Sequence, residues 1–323
     1  MCGDVGAREN APVRLHLDTD IGSDPDDACA LAMLLGWPDV EVVGLTTTVD
    51  PGGRRAGYAA YCLHLLERDD VPVVAGASRA LTIDAPQPRA VDDATMWPSG
   101  IAPRPSPAGA ATDLLLRSVE RGATIVAIGP YTNLALLERS HPGTLARVPV
   151  VLMGGWVRPP APGLPRWGPD RDWNMQADPA AARAVVEACA DLTLSTLPVS
   201  LQVPLRAGDL PALRALGPMG DLLARQSEAH AVASGKSDLG PAHSGLPDDL
   251  VNLHYDPLAC AVALGWPGAG VEQMRLRAVL EDRGLRLYAD PGAHAVRVVV
   301  DVDGEAFARA WLQAVRTACE RAR

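Results

Sequence analysis

The sequence predicts an α/β fold, a doubly wound and mainly parallel open sheet with added antiparallel strands near the C-terminus. Short apolar runs alternate with helix-like stretches through most of the 323 residues. The last part of the chain instead has short β-type runs separated by turn sequences, which is typical of antiparallel strands. Because 48% of the residues are hydrophobic, the chain can bury a large core. We expect a single domain over residues 1–323, with residues 1–12 disordered.

The individual elements follow from this alternation. Strands are predicted at residues 13–17, 40–47, 71–75, 124–128, 148–153 and 192–197. Helices are predicted at residues 28–35, 54–66, 107–121, 134–139, 179–190 and 256–264. The antiparallel runs are residues 275–280, 285–288 and 296–302, with turns at 282–284 and 291–292 and a final helix. Segments 82–106, 157–170 and 234–253 are too long for ordinary connections, and they form either walls and lids of a site or disordered insertions.

Composition excludes several classes of partner. The formal net charge of −10 argues against nucleic acid, whose binding proteins usually carry a basic patch. No apolar run is long enough to span a bilayer, and residues 1–10 lack the basic start and apolar centre of a secretion signal. The six cysteines are widely spaced, so buried, reduced thiols are expected rather than disulfides or a zinc site. We therefore expect a cytoplasmic protein that binds neither nucleic acid nor membranes.

Five carboxylates fall within ten residues between the first strand and the first helix: Asp18, Asp20, Asp24, Asp26 and Asp27. Like charges at this density require raised pKa values or a counter-ion, and oxygen ligands suit a hard cation such as Ca²⁺ or Mg²⁺. Acids between a strand and a helix lie at the carboxyl edge of a parallel sheet, where open α/β folds bind ligands. A solvated acidic loop with one helix-capping aspartate is the alternative, but capping explains only one or two of the five.

The turn at 18–28, DTDIGSDPDDA, resembles the signature of the inosine-uridine-preferring nucleoside hydrolases, in a variant with two extra residues before the paired aspartates. Five more segments agree in order and approximate spacing: TTTV at 46–49, IGPYTNL at 128–134, VLMGG at 151–155, DWNMQADP at 172–179 and YDPLA at 255–259. Each string is weak alone, but six in order predict this fold and superfamily.

The resemblance implies a Ca²⁺ ion held by Asp20, Asp27, Asp256 and the carbonyl of Ile128, with water and ribose hydroxyls completing the shell. It also implies that Asp20 takes a proton from the metal-bound water that attacks the anomeric carbon. The implied reaction is hydrolysis of the N-glycosidic bond of a ribonucleoside to ribose and free base, in nucleoside salvage. Family resemblance further implies a homodimer or homotetramer.

Ribose contacts are implied for Asp26, Asn174 and Asp172, the last standing where the family usually has glutamate. Met153 lies either under the ribose or in the core. Asp50 stands near the family's ribose-binding asparagine, and it either contacts the substrate or begins a turn.

The residues expected to act on the base depart from the family. Tyr255 occupies the position before the late aspartate, where many members carry histidine and use it to protonate the leaving base. Tyrosine is a weak acid at neutral pH but can donate a hydrogen bond. Trp97 and Trp173 are candidates to stack on the base, and Trp173 has an equally good structural interpretation. These departures favour a purine or a modified base.

Two functions from other classes compete with the hydrolase. A haloacid-dehalogenase-like phosphatase would use Asp18 and Asp20 with Lys236, the chain's only lysine, and the pair Asp248–Asp249. That pair does not follow an apolar strand, and the other five motifs would be unexplained. A non-catalytic intracellular protein that binds nucleosides or ribose would keep the metal pocket but lack leaving-group activation.

Overall fold

The computed structural model describes residues 12–82, 93–281 and 284–323. The expected disorder at the N-terminus, the turn residues 282–283 and residues 83–92 of the first long segment lie outside these ranges. The strands are β1 Val13–Thr19, β2 Val40–Thr47, β3 Val73–Ala75, β4 Thr124–Ala127, β5 Pro149–Met153, β6 Asp191–Ser195, β7 Pro204–Arg206, β8 Leu250–Leu253, β9 Ala269–Glu281, β10 Gly284–Ala289 and β11 Ala295–Val302.

The helices lie between these strands and after the last one. They are α1 Asp26–Gly36, α2 Arg54–Leu65, α3 Asp93–Met96, α4 Ala110–Glu120, α5 Thr132–Ser140, α6 Trp173–Gln176, α7 Pro179–Ala188, α8 Leu197–Ser200, α9 Leu210–Arg214, α10 Pro218–Ser234, α11 Leu239–Ala242, α12 Tyr255–Ala263 and α13 Gly304–Arg321. Short 3₁₀ turns are formed by Leu145–Arg147, Pro169–Arg171, Ala207–Asp209 and Lys236–Asp238.

The central sheet is mainly parallel, as predicted. Its nine strands have the order β10-β9-β11-β6-β5-β4-β1-β2-β3. Among the described strands of this sheet, only β9 runs antiparallel to its neighbours, β10 and β11, which confirms the antiparallel additions near the C-terminus. The chain moves outward from β1 through β2 to β3, and then continues from β4 on the other side of β1. The strand order therefore reverses at β1 and β4, and ligands of open α/β sheets bind at such a switch point.

Helices cover both faces of the sheet. Alternate residues of β4 show this, because Val126 packs into one hydrophobic cluster while Ile125 and Ala127 pack into another. Strands buried on both faces read as continuous apolar runs, which is why they were predictable from the sequence. Among the described residues, no helix is long and apolar enough to cross a membrane.

The long segments 157–170 and 234–253 are more ordered than the sequence indicates. Within 234–253, the chain forms the Lys236–Asp238 turn, α11 and β8, and β8 pairs with β7 in a separate two-stranded sheet. Within 157–170, Gly163 accepts a backbone hydrogen bond from Gly245 at 3.0 Å. These two segments therefore pack on each other beside the sheet edge, which favours the interpretation of walls over disordered insertions.

Candidate active site

A cavity of about 420 Å³ opens at the carboxyl ends of β1, β4 and β5. Its volume suits a small organic molecule. Residues from distant parts of the chain line it: Asp20, Ser23, Asp24, Asp26, Asp27, Ile128, Met153, Trp167, Arg171, Asp172, Trp173, Asn174, Leu197, His230, Ala233, Ser234, Lys236, Tyr255 and Asp256. This lining includes every residue that the sequence analysis assigned to a nucleoside hydrolase site except Asp50 and Trp97.

Three buried carboxylates form an acid cluster, Asp26, Asp27 and Asp256, in which one ligand atom from each lies within 4.8 Å of the others. Asp26 and Asp27 begin α1, and Asp256 lies in the first turn of α12. Burial and repulsion from neighbouring carboxylates, Asp20 and Asp24 among them, raise the pKa of all three well above the usual carboxyl value. Within the described ranges, none of them forms an ion pair with a cationic side chain. An all-oxygen donor set of this kind fits a hard divalent cation.

Asp20 adjoins the acid cluster and lines the same cavity. Its Oδ2 accepts a hydrogen bond from Trp173 Nε1 at 3.2 Å, and Arg55 donates to its backbone carbonyl. Burial raises the pKa of Asp20, while Arg55 and the Trp173 hydrogen bond oppose that rise. The Trp173 indole therefore fixes one carboxylate oxygen of Asp20 and leaves the other for a ligand.

Asp18, in contrast, supports the turn from below. It is fully buried, and its Oδ1 accepts hydrogen bonds from Asn133 Nδ2 at 2.7 Å and from Thr46. Burial raises the pKa of Asp18 to about 7. These contacts tie the end of β1 to β2 and α5, so Asp18 holds the turn in place rather than facing the cavity.

Polar groups line the cavity beside Met153 as well. Asn174 Nδ2 donates to the carbonyls of Ile128 and Met153, at 2.9 and 3.0 Å. Asp172 accepts from the backbone N–H groups of Gly155 at 2.5 Å and Met175 at 3.2 Å, while burial raises its pKa to about 6. Backbone groups therefore fix both side chains before any ligand binds.

A second group of polar side chains, the lysine network, lies in and behind another part of the cavity. Its members are Lys236, Tyr255, Asn252, Asp24 and His230. Burial would raise the pKa of Asp24, but His230 and Lys236 outweigh it and hold that pKa well below its usual range. This network was not predicted, apart from Tyr255.

These features can be compared with known proteins. The family model described as inosine-uridine preferring nucleoside hydrolase matches residues 15–309, which is most of the chain. The chain belongs to this family. This match confirms the family that the six sequence motifs predicted.

The names of the relatives of this nucleoside hydrolase family member indicate different base preferences. It is 33% identical over 214 residues to the pyrimidine-specific ribonucleoside hydrolase RihA of Salmonella agona (strain SL483), over 62% of this chain and 65% of that protein. The match thus spans about two thirds of the curated relative's length. A purine-preferring ribonucleoside hydrolase from Gardnerella vaginalis has a similar structure, with a TM-score of 0.78, 24% identity and coverage of 95% of this chain and 99% of that one. A plant nucleoside hydrolase, PpNRh1, gives a TM-score of 0.77 at 23% identity, covering 94% and 99% of the two chains.

Two site assignments made from this family's motifs are wrong. Asp50 does not line the cavity, and its carboxylate accepts hydrogen bonds from the backbone N–H groups of Arg55 and Ala56, at 2.9 and 3.0 Å, at the start of α2. Trp97 is buried, stacks on Tyr58 with ring centroids 4.2 Å apart, and donates to the carbonyl of Gly22 at 2.8 Å. Asp50 is therefore a helix-capping residue, and Trp97 braces the aspartate turn from the core side.

The structure also changes the grouping of the acids. The family resemblance gives Asp20, Asp27 and Asp256 to the metal and Asp26 to ribose, whereas the described carboxylates that converge are Asp26, Asp27 and Asp256. Asp26 and Asp27 are adjacent at the start of α1, so the first turn of the helix brings both to the cavity. Asp20 lies next to this group, and its Oδ2 accepts the Trp173 hydrogen bond.

The residues required by the phosphatase hypothesis do not come together. Lys236 lines the cavity, but Asp248 and Asp249 do not, and Asp249 Oδ1 accepts a hydrogen bond from Arg206 Nε at 2.8 Å on the surface. Sequence reasoning also missed several cavity residues, among them Trp167, Arg171 and His230. They lie in or next to the long segments and α10, where no motif marks them.

Proposed function

We propose that the protein hydrolyses the N-glycosidic bond of a ribonucleoside to ribose and free base, in a Ca²⁺-dependent reaction. One observation carries the proposal: three buried carboxylates converge, with no ion pair to a cationic side chain among the described residues, in a cavity at the switch point of the sheet of a nucleoside hydrolase family member. A buried cluster of this kind destabilises the fold unless a cation or protons offset its charge.

The donor set fits Ca²⁺, because it consists of carboxylates with a main-chain carbonyl nearby. Asp26, Asp27 and Asp256 would hold the ion, and Asp20 and the carbonyl of Ile128 line the same cavity. When bound, Ca²⁺ would neutralise the cluster, orient ribose hydroxyls and lower the pKa of a bound water.

The side chains supply the remaining steps. Asp20 takes the proton from the water that attacks the anomeric carbon, and Trp173 holds Asp20 in position through its 3.2 Å hydrogen bond. Because Asn174 commits Nδ2 to two carbonyls, its amide oxygen is the group it offers to a ribose hydroxyl. Asp172 accepts a further hydroxyl, and the carboxylates around the sugar stabilise the positive charge of an oxocarbenium-like transition state.

The base would bind beside the indoles of Trp167 and Trp173, both of which line the cavity. Arg171 lies over the Trp167 ring at 5.1 Å and stiffens that wall. A purine or modified base remains our prediction. The relatives named pyrimidine-specific support a pyrimidine instead, so the base is left for experiment to decide.

A nucleoside panel tests the proposal. Metal-depleted protein is assayed with purine, pyrimidine and modified ribonucleosides, with Ca²⁺ or with a chelator, and ribose and free base are quantified by chromatography. We expect equimolar ribose and base from at least one nucleoside, only with Ca²⁺. Asp20→Asn should lower kcat by about 10²–10⁴-fold, the usual range for loss of a general base, while Asp113→Asn, on an exposed face of α4, should not. Tight nucleoside binding without turnover would establish a binding protein and contradict the hydrolase.

A further inference from the structure

The only lysine of the chain is buried in the cavity. Lys236 is 8% exposed, although its neighbours Ser234 and Gly235 lie at the surface end of α10. Burying an ammonium group is costly unless several partners bind it. This desolvation cost indicates a specific role for Lys236, because an apolar residue would fill the same space without the cost.

Three partners hold the Lys236 ammonium in the lysine network. Nζ donates to Asn252 Oδ1 at 2.7 Å and to the Tyr255 hydroxyl oxygen at 3.1 Å, and it lies 3.9 Å from Asp24 Oδ2. The same atom is 4.7 Å from the centroid of the Tyr255 ring. The ammonium is therefore held against both the ring and the hydroxyl of one tyrosine.

The hydrogen-bond directions around Tyr255 follow from this arrangement. An ammonium group can only donate, so the Tyr255 oxygen must accept, and its own hydrogen points elsewhere. Within the described part of the chain, this hydroxyl has no protein acceptor, and Tyr255 lines the cavity. Its O–H group is thus available to a ligand, and a positive charge 3.1 Å from the oxygen strengthens it as a donor.

Asp24 secures the ammonium from the other side. Its Oδ1 accepts from Asn252 Nδ2 at 2.7 Å, and its Oδ2 lies 3.1 Å from His230 Nε2. His230 Nδ1 in turn lies 3.0 Å from the carbonyl of Ser23. Asp24 belongs to the two-residue expansion of the aspartate turn, so this expansion supplies the carboxylate that anchors the network.

We propose that Lys236 is a positioning residue that aims and polarises the Tyr255 hydroxyl toward the departing base, and that the expanded turn exists to hold Lys236 there. The inference rests on the proposed hydrolase function. The C1′–N bond breaks with its electron pair on the base, and the Tyr255 hydrogen bond stabilises that charge until solvent protonates the base. The attacking water gives its oxygen to C1′ and its proton to Asp20. The two-residue expansion, the tyrosine before the late aspartate and the only lysine of the sequence then act together.

The test compares two substrates that differ in their need for a donor. One is the best nucleoside of the panel, and the other is p-nitrophenyl β-D-ribofuranoside, whose leaving group is stable as an anion. The variants are Lys236→Met, Lys236→Arg, Tyr255→Phe and the double variant, with Arg225→Met, an exposed cation on α10, as the matched control.

We expect Tyr255→Phe and Lys236→Met each to lower kcat for the nucleoside by about 10–10²-fold, with changes below about threefold for the p-nitrophenyl riboside. Lys236→Arg should recover part of the loss, because it keeps a cation. The double variant should be no slower than Tyr255→Phe alone, since Lys236 acts through the hydroxyl.

Equal losses on both substrates, or losses that multiply in the double variant, would overturn the inference and leave Lys236 a merely structural role. If the wild-type protein cleaves both substrates and Tyr255→Phe changes neither rate, the inference alone fails. If the wild-type protein cleaves neither substrate in Ca²⁺, the proposed hydrolase function itself fails.

Discussion

Asp256→Asn should stabilise the metal-free protein while abolishing most of its response to Ca²⁺. The carboxylates of the acid cluster lie within 4.8 Å of one another, so each charged pair repels by about 3.5 kcal/mol at an effective dielectric constant of ~20. Proton uptake by the metal-free protein relieves part of this repulsion, because the pKa values of the cluster are raised by burial and by like charge. We therefore expect a gain of about 1–3 kcal/mol in the free energy of unfolding in chelator at mildly alkaline pH.

Differential scanning calorimetry measures this effect. For 323 residues, 1 kcal/mol corresponds to roughly 1.5 °C in Tm, so Asp256→Asn should melt about 2–5 °C above wild type in chelator. With Ca²⁺ at ~1,000 times its Kd, the wild-type protein should gain about 4.1 kcal/mol and the variant much less, so that their order reverses. Asp113→Asn is the control. A lower Tm of Asp256→Asn in chelator, or no Ca²⁺ stabilisation of wild type, would refute the reasoning.

Three further predictions follow from the geometry. The pKa values of the acid cluster are raised, so the folded state binds more protons than the unfolded state. The metal-free protein should therefore lose stability as pH rises through those pKa values. Urea titrations should show this loss in chelator and a much flatter pH profile in Ca²⁺. Trp97→Phe keeps an aromatic ring on Tyr58 but loses the hydrogen bond to the Gly22 carbonyl, so it should lower the free energy of unfolding by about 0.5–1.5 kcal/mol. The purine-to-pyrimidine ratio of kcat/KM should stay unchanged, and a shifted ratio would mean that Trp97 contacts the base. Asp50→Ala removes the cap of α2, so calorimetry should show the free energy of unfolding lowered by about 0.5–2 kcal/mol. KM should stay unchanged, whereas a large rise in KM would mean that Asp50 contacts the substrate.

Much of the fold and of the cavity could be predicted from the sequence because the decisive residues follow buried strands. The acids after β1, Ile128 after β4 and Met153 at the end of β5 converge because parallel strands end at one sheet edge. Asp50 and Trp97 were misassigned because proximity to a motif does not fix the direction of a side chain.

The lysine network could not be predicted because it joins residues that are distant in the chain. His230 and Ser23 are 207 positions apart, and the segment with Lys236 has no regular apolar period that would predict its turn and β8. One signal was present. Lys236 is the only lysine among 29 basic residues, and the sequence analysis assigned it only to the phosphatase hypothesis.

The most direct test of the central claim is a Ca²⁺ titration of metal-depleted protein in which ribose release and Ca²⁺ binding are measured on the same sample. We expect no ribose release without the ion, and release that rises with the same midpoint as binding. Full nucleoside turnover in excess chelator, or saturation with Ca²⁺ and no ribose from any nucleoside, would contradict a calcium-dependent ribohydrolase.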